Sequence, residues 1–433
     1  MQHAGSGSTA PSVQFYGGRK QNANSYMDDK GGLVVISLLI SLSIGELGLR
    51  LLGMQWPVFD RFDPILATSL LPGAEGRHAS EGNAFVRISP QGLRDHERAL
   101  TKPERGLRIA LLGDSYAEAL QVSFDDSFAS RLERQLSECD RAGYKGPVEV
   151  INFGVFGYGT GQELLMFRHR ARAFNPDLVL LLFTTGNDIR NNSRALQGAE
   201  RRPYFMVSNG GVELDTSYRE RSKWRLMSGP LGQVIEWLSL HSRVYQLYNH
   251  VRRTIRNPVH KASDRAAITH GIEIGLDSEV YREPKDRKWI EAWRVTEAII
   301  HQLDLEVNEA GARLLLVTGS SPIQVNPDFE VRSRLAMHLE IDSLTYPDDR
   351  LEDFARDHDI PFLMLLPSLR KWAEHERRCV HGFANTAPCS GHWNEDGHRV
   401  AAVAVANWIC TDVLSSTSTA RIGITNEEGD GKL

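Results

Sequence analysis

The chain has 433 residues, 41% hydrophobic and 24% charged, with a formal net charge of −5. That balance excludes a wholly disordered, collagen-like or polytopic membrane protein, leaves room for two or three domains, and carries no basic footprint of a nucleic-acid binder. Four cysteines without C-x-x-C spacing exclude a disulfide-dense scaffold and argue against a structural zinc site.

Residues 1–30, rich in Gly, Ser, Asn and Gln, are expected to be a disordered N-terminus. Residues 31–53 read GGLVVISLLISLSIGELGLRLLG, with Glu46 and Arg50 as the only charges. As a helix, residues 31–52 would reach about 33 Å, enough to cross a bilayer. Three readings stand: an uncleaved signal anchor, favoured because no clean A-x-A site is present; a signal peptide cut after Ser43-Ile44-Gly45; and a buried soluble helix. Glu46 and Arg50 are spaced to pair near the end of the stretch, with Trp56 as an interfacial anchor. Arg19, Lys20 and Lys30 before the span and Arg50 and Arg61 after it set orientation only weakly. Residues 54–106 read as a connecting segment with one strand-like piece at Ala84–Ile88.

A regular alternation begins at residue 107. Leu107–Leu112, Val148–Asn152, Asp177–Thr184, Ala312–Thr318 and Pro361–Leu366 are short apolar runs, as expected of strands buried on both faces. Helical patterns fall between them, at Phe124–Leu136 and near Gln162–Phe174, and a last helix follows across Asp396–Leu414. The pattern predicts an α/β domain over 107–414, a three-layer αβα arrangement around a parallel five-stranded sheet. A long insertion occupies 197–285. In it Asn209-Gly210 marks a hairpin turn, and Leu240, Val244, Leu247, Val251 and Ile255 lie on one helical stripe. Arg252, Arg253, Arg256 and Lys261 on or after that helix read as a solvated face in preference to a membrane or polymer contact. Residues 415–433 read as a flexible polar tail.

Four motifs sit where an open α/β sheet builds its site, beyond the carboxyl ends of its strands. Gly113-Asp114-Ser115-Tyr116 follows the first strand and places a serine at a helix start, its own N–H facing any anion formed by attack on a carbonyl. The turn 152–157 (NFGVFG) follows the second, where glycine lets a backbone N–H approach a ligand closely. Thr185-Gly186-Asn187-Asp188 follows the third and offers an amide donor. The run 391–398 (GHWNEDGH) opens the last helix.

In this order the motifs resemble the SGNH (GDSL-type) hydrolases, over about 107–196 and 286–414. The resemblance makes Ser115 the nucleophile and His392 the base, with the N–H groups of Ser115 and Gly157 and the Asn187 amide as oxyanion hole. It requires no metal or cofactor. The stretch from Val86-Arg87-Ile88 to Gly92-Leu93-Arg94-Asp95 is similar to membrane-anchored bacterial members, where it leads into the catalytic domain. The implied activity is hydrolysis of acyl esters, such as an O-acetyl group on a carbohydrate. The implied partners are an acyl-ester or acylated glycan substrate and the membrane, with the catalytic domain on the periplasmic or extracytoplasmic side. Transfer of the acyl group to an envelope polysaccharide, or a catalytically weak binding or assembly factor, are the alternatives.

One position departs from the family pattern. The D-x-x-H acid is replaced by Cys389, and no carboxylate falls within ten residues before His392. A backbone carbonyl, an acid from elsewhere in the chain, or a Cys389 thiolate remain as partners of the histidine. Asp396 and His398 are assigned to neither role. Cys379 and Cys389 bracket the loop and are a candidate disulfide, Cys410 reads as a core residue, and Cys139 has no evident role.

Overall fold

The computed structural model describes residues 23–139, 146–208, 210–256 and 278–415. Helix α1 (Ala23–Leu51) contains the apolar segment, and its side chains from Leu33 to Ile40 are exposed rather than packed on the domain. Its stretch Gly32–Leu51 is long and apolar enough to cross a membrane, and its exposure speaks against the buried soluble helix among the three readings. Residues 23–30, expected to be disordered, belong to this helix; residues 1–22 lie outside the described ones.

After α1 the chain makes two antiparallel hairpins, β1 (Asp60–Asp63) with β2 (Ala67–Leu70) and β3 (Glu75–His78) with β4 (Ala84–Arg87). Ala84 and Val86 point inward while Phe85 and Arg87 point out. Phe59, Leu66, Leu70, Val86, Ile88 and Leu93 join the main hydrophobic core. Residues 54–106 are therefore part of the α/β unit rather than a connection to it. The strand-like piece expected at Ala84–Ile88 is β4; the other three four-residue strands alternate too briefly to announce themselves in sequence.

The main sheet holds β5 (Leu107–Gly113), β6 (Val148–Asn152), β7 (Leu178–Thr184), β10 (Arg313–Gly319) and β11 (Phe362–Met364), while β8 (Tyr204–Ser208) and β9 (Gly211–Asp215) form a separate hairpin in the insertion. All pairings are parallel and the order is β6-β5-β7-β10-β11, the doubly wound arrangement in which ligands bind beyond the strands' carboxyl ends. Every residue of β5 and β7 is buried because helices cover both faces. On one face Leu112, Ile151, Leu181 and Leu314 meet α4 (Thr160–His169) and α10 (Arg287–Glu309), which inserts Trp293, Ile299 and Leu303. On the other, Ile109, Val150, Leu180 and Val317 meet α3 (Phe128–Glu138), α13 (Leu366–Glu376) and α14 (Glu395–Trp408). Truncating any of these fully buried leucines to alanine would cost about 2–5 kcal/mol.

Helices α3 and α14 pack side by side, and a disulfide between Cys139 and Cys410 ties their ends, with Cα atoms 6.4 Å apart. Cys410 is therefore not the plain core residue expected, and Cys139, to which no role was assigned, is its partner. The pairing joins positions 271 residues apart, which spacing alone does not connect.

The insertion begins with the hairpin β8 (Tyr204–Ser208) and β9 (Gly211–Asp215); Asn209 lies outside the described residues. It continues through α7 (Ser222–Ser228), α8 (Pro230–His241) and α9 (Arg243–Arg256). The expected single stripe from Leu240 to Ile255 is thus broken at Ser242, where one helix ends and the next begins. Residues 257–277, with Lys261, and the tail from 416 lie outside the described residues.

Candidate active site

The turn after β5 delivers Asp114 and Ser115 to the carboxyl edge of the sheet. Asp114 caps the short helix α2 (Ser115–Glu118), its carboxylate accepting from the Tyr116 N–H at 2.9 Å, which sets Ser115 in the first turn. There a backbone N–H has no partner within the helix. His392 Nε2 lies 2.8 Å from Ser115 Oγ.

The far side of the imidazole meets a residue that sequence reasoning did not single out. His392 Nδ1 lies 2.5 Å from Glu81 Oε2, and the His392 backbone N–H donates to Glu81 Oε1 at 2.8 Å. One carboxylate therefore holds both the ring and the backbone of the histidine. A carboxylate only accepts, so these contacts place the proton on Nδ1 and leave Nε2 to accept from the Ser115 hydroxyl. Burial pushes the Glu81 carboxyl up, but the hydrogen bonds and charge of His392 outweigh it and hold the group below its ordinary value.

Glu81 stands in the turn between β3 and β4, and Asn385 fixes that turn from the other end of the chain. The Asn385 side chain donates to the carbonyls of Ala79, at 3.1 Å, and Gly82, at 2.8 Å, and accepts from the Gly82 N–H at 3.0 Å. Asn385 lies in a loop closed by the disulfide between Cys379 and Cys389, as expected of that pair. The bond also removes the thiolate reading of Cys389, whose sulfur is taken by Cys379.

The loop entering α14 is held from several sides. Tyr116 Oη donates to the Gly391 carbonyl at 3.1 Å, and the Gly382 N–H donates to the His392 carbonyl at 3.0 Å. Asn394 caps α14 through the N–H groups of Asp396 and Gly397 and donates to the Cys379 carbonyl at 2.8 Å. Gly391 has φ +79°, and a Cβ there would stand 2.1 Å from Glu81 Oε1. Only glycine admits both the turn and the carboxylate. His398 is buried, its ring edge-on to Trp393 at 5.6 Å, so it packs rather than reacts.

The turn after β6 is braced by Asn152, whose amide donates to the Ala117 carbonyl at 2.7 Å while its oxygen accepts from the Gly154 N–H at 2.9 Å. At its tip Phe156 is 65% exposed, its ring 6.4 Å from that of His392. The Phe156 N–H donates to Glu118, a buried carboxyl that burial pushes up to about 8. Gly157 follows with φ +72°, a conformation natural to glycine, and its carbonyl accepts a hydrogen bond from Arg202 at the start of the insertion. After β7, Asn187 stands at the start of α5 (Asp188–Asn192) and donates one amide N–H to Asp114 Oδ2 at 2.9 Å, beside Ser115. The Asp188 carboxylate fastens this turn by accepting from the Thr184 N–H at 2.7 Å.

Ser115 and His392 are thus brought into direct contact. Asn187 reaches the residue next to Ser115, and Gly157 ends the turn whose aromatic tip faces His392. The carboxylate in contact with His392, Glu81, lies in the 54–106 segment. The only sequence signal for it was negative, the absence of a carboxylate before His392.

No protein-family model matches the chain, and none of the curated proteins does. Among solved structures, the chain is similar to an α/β hydrolase from the metagenome of Lake Arreo, Spain, over 71% of this chain and 96% of that one, at 13% identity and a TM-score of 0.35. It is similar to an acetyl xylan esterase over 70% and 100% of the two chains, at 13% identity and a TM-score of 0.35. A catalytic mutant of an acetylxylan esterase from Geobacillus stearothermophilus aligns over 70% and 93%, at 11% identity and a TM-score of 0.33.

Proposed function

We propose that the protein is a serine ester hydrolase in which Ser115 is the nucleophile, His392 the general base and acid, and Glu81 the carboxylate that orients it. The observation that carries this reading is the unbroken hydrogen-bonded line from Glu81 through His392 to Ser115. His392 Nε2 takes the hydroxyl proton as Ser115 Oγ attacks the ester carbonyl. The imidazolium so formed is stabilised by Glu81, which remains ionised. The tetrahedral oxyanion is held by the N–H groups of Ser115 and Gly157 and by the Asn187 amide N–H not used by Asp114. Collapse passes the proton from Nε2 to the departing alcohol and leaves an acyl-enzyme. A water deprotonated by His392 then releases the acid and restores Ser115.

The substrate we assign is a small acyl ester, of the O-acetyl kind, carried on a carbohydrate. The exposed Phe156 beside His392 supports it, since an aromatic face at the mouth of a site suits the apolar face of a sugar ring. A membrane anchor at α1 would keep this site at an envelope surface. The test is turnover of a short-chain aryl ester by the full chain and by Ser115→Ala, together with labelling by an active-serine phosphonate. Turnover and labelling in the wild type, both lost in the variant, are expected. Equal turnover in the two proteins would overturn the assignment, and absence of label would favour a binding role.

A further inference from the structure

We propose that helices α8 and α9 lie on the surface of the bilayer that α1 enters, their apolar side chains among the lipids and Arg252 of α9 at anionic headgroups. The proposal rests on α1 acting as a membrane anchor. Its starting point is the use made of the two charges in the apolar segment. Glu46, near the end of α1, accepts from the N–H groups of Arg243 at 3.0 Å and Val244 at 3.1 Å, the first two of α9, and from Ser242 Oγ at 3.1 Å. Arg50 donates to Glu46 at 2.8 Å and to the carbonyl of His241, the last residue of α8, at 2.6 Å. Both charges are thus engaged with the junction of α8 and α9. They pin that junction to the last two turns of the span, at the depth where hydrocarbon gives way to headgroups.

The contact continues along the chain leaving α1. A Cβ on Gly45 would stand 3.5 Å from Val244 Cγ2, and the Trp56 ring stands 5.6 Å from His250 on α9. The helices so fixed leave apolar stripes uncovered. Leu231, Val234 and Trp237 recur at every third position of α8, and Tyr248, Val251 and Ile255 at spacings of three and four on α9. Trp237 is 57% and Ile255 68% exposed, and side chains of this size left open on adjoining helices mark a contact surface.

Charge favours lipid as the occupant. Residues 230–256 carry four arginines, at 243, 252, 253 and 256, and a single acid, Glu236. Trp237 on the apolar side of α8 and the arginines of α9 together give the pair the Trp-and-Arg composition suited to an anionic membrane surface. Continuity with the span decides between occupants. A bilayer crossed by α1 must lie against the junction that Glu46 and Arg50 hold, whereas a second copy or another protein has no such obligation. Arg252, expected from sequence to be merely solvated, gains a role by this placement.

The test uses the full chain reconstituted in vesicles of phosphatidylcholine and phosphatidylglycerol whose acyl chains are brominated near the headgroup or near the bilayer centre. The fluorescence difference between wild type and Trp237→Phe isolates one of eight tryptophans. We expect the Trp237 share to be quenched about twofold by the shallow bromines, less by the deep ones, and less again when phosphatidylglycerol is omitted. The double variant Leu231→Glu, Val234→Glu should lose this quenching while ester turnover and retention after an alkaline carbonate wash persist. An unquenched Trp237 in protein that resists the wash would overturn the proposal and leave the anchor standing. Release of the wild type by the wash would overturn the anchor itself. Concentration-dependent cross-linking through α8 without quenching would give the face to a second copy and also overturn the proposal.

Discussion

Glu81 and His392 are 311 residues apart in sequence and 2.5 Å apart at Oε2 and Nδ1. The carboxylate comes from a hairpin turn before the sheet begins and the imidazole from the loop after its last strand. Glu81→Gln keeps an oxygen for the His392 backbone N–H but presents an amide N–H to the ring, which favours the proton on Nε2, the wrong nitrogen for a base. We expect kcat for a short-chain aryl ester to fall by about 10²–10⁴, with little change in KM or thermal midpoint. A kcat within about twofold of wild type would show that Glu81 does not orient the base.

Gly391 makes that contact possible. Gly391→Ala puts a methyl group where Glu81 Oε1 now lies, at a φ that L-residues rarely adopt. The carboxylate must retreat, so kcat should fall at least about tenfold, and the loss should not add to that of Glu81→Gln in the double variant, since both act on one contact. Fully additive losses would separate Gly391 from Glu81.

Asn385 acts one step further out. Asn385→Ala removes three hydrogen bonds from the turn carrying Glu81 and touches no reacting atom. Kcat should drop about tenfold while phosphonate labelling of Ser115 still goes to completion, only more slowly. Unchanged labelling and turnover rates would reduce Asn385 to a loop staple.

Much of this arrangement is legible in sequence. Apolar runs such as Asp177–Thr184 give the buried strands because helices on both faces leave no polar alternation to confuse them. The positions of Ser115, Asn187 and His392 follow, since each sits directly after a strand or before a helix. What sequence hides is what the fold brings from afar. Glu81 lies in a hairpin of which only β4 shows in the sequence, as the strand-like piece at Ala84–Ile88, while its partner β3 does not. Cys139 and Cys410 meet only because α3 and α14 lie side by side on one face of the sheet. The break at Ser242 is likewise hidden by the stripe around it, since a single serine cap there, accepting from the Tyr245 N–H at 3.2 Å, is completed by Glu46 brought in from α1.

Phe156 stands at the mouth of the site without hydrogen-bonding the triad. Phe156→Ala should raise KM for an acetylated oligosaccharide about fivefold to tenfold and leave kcat for a small aryl ester within about twofold, the split expected of a residue that binds the sugar rather than the reacting centre. Equal losses for both substrates would place its effect on the backbone of the turn after β6 instead.

Glu118 links that same turn to pH. Burial pushes its carboxyl up to about 8, against an ordinary value of 4.5, while it accepts from the Phe156 N–H. The folded protein therefore keeps a proton that the unfolded chain gives up between these two values. Within that window the folded state binds more protons, so this group's contribution to stability is present at the acid end and is lost as pH rises towards 8. Glu118→Gln carries no titrating proton but retains an oxygen for Phe156. Its thermal midpoint should decline less steeply than the wild type's between about pH 5 and pH 8, by several degrees over the interval. Parallel curves for the two proteins would mean that Glu118 is already ionised in the fold, with a cation compensating it.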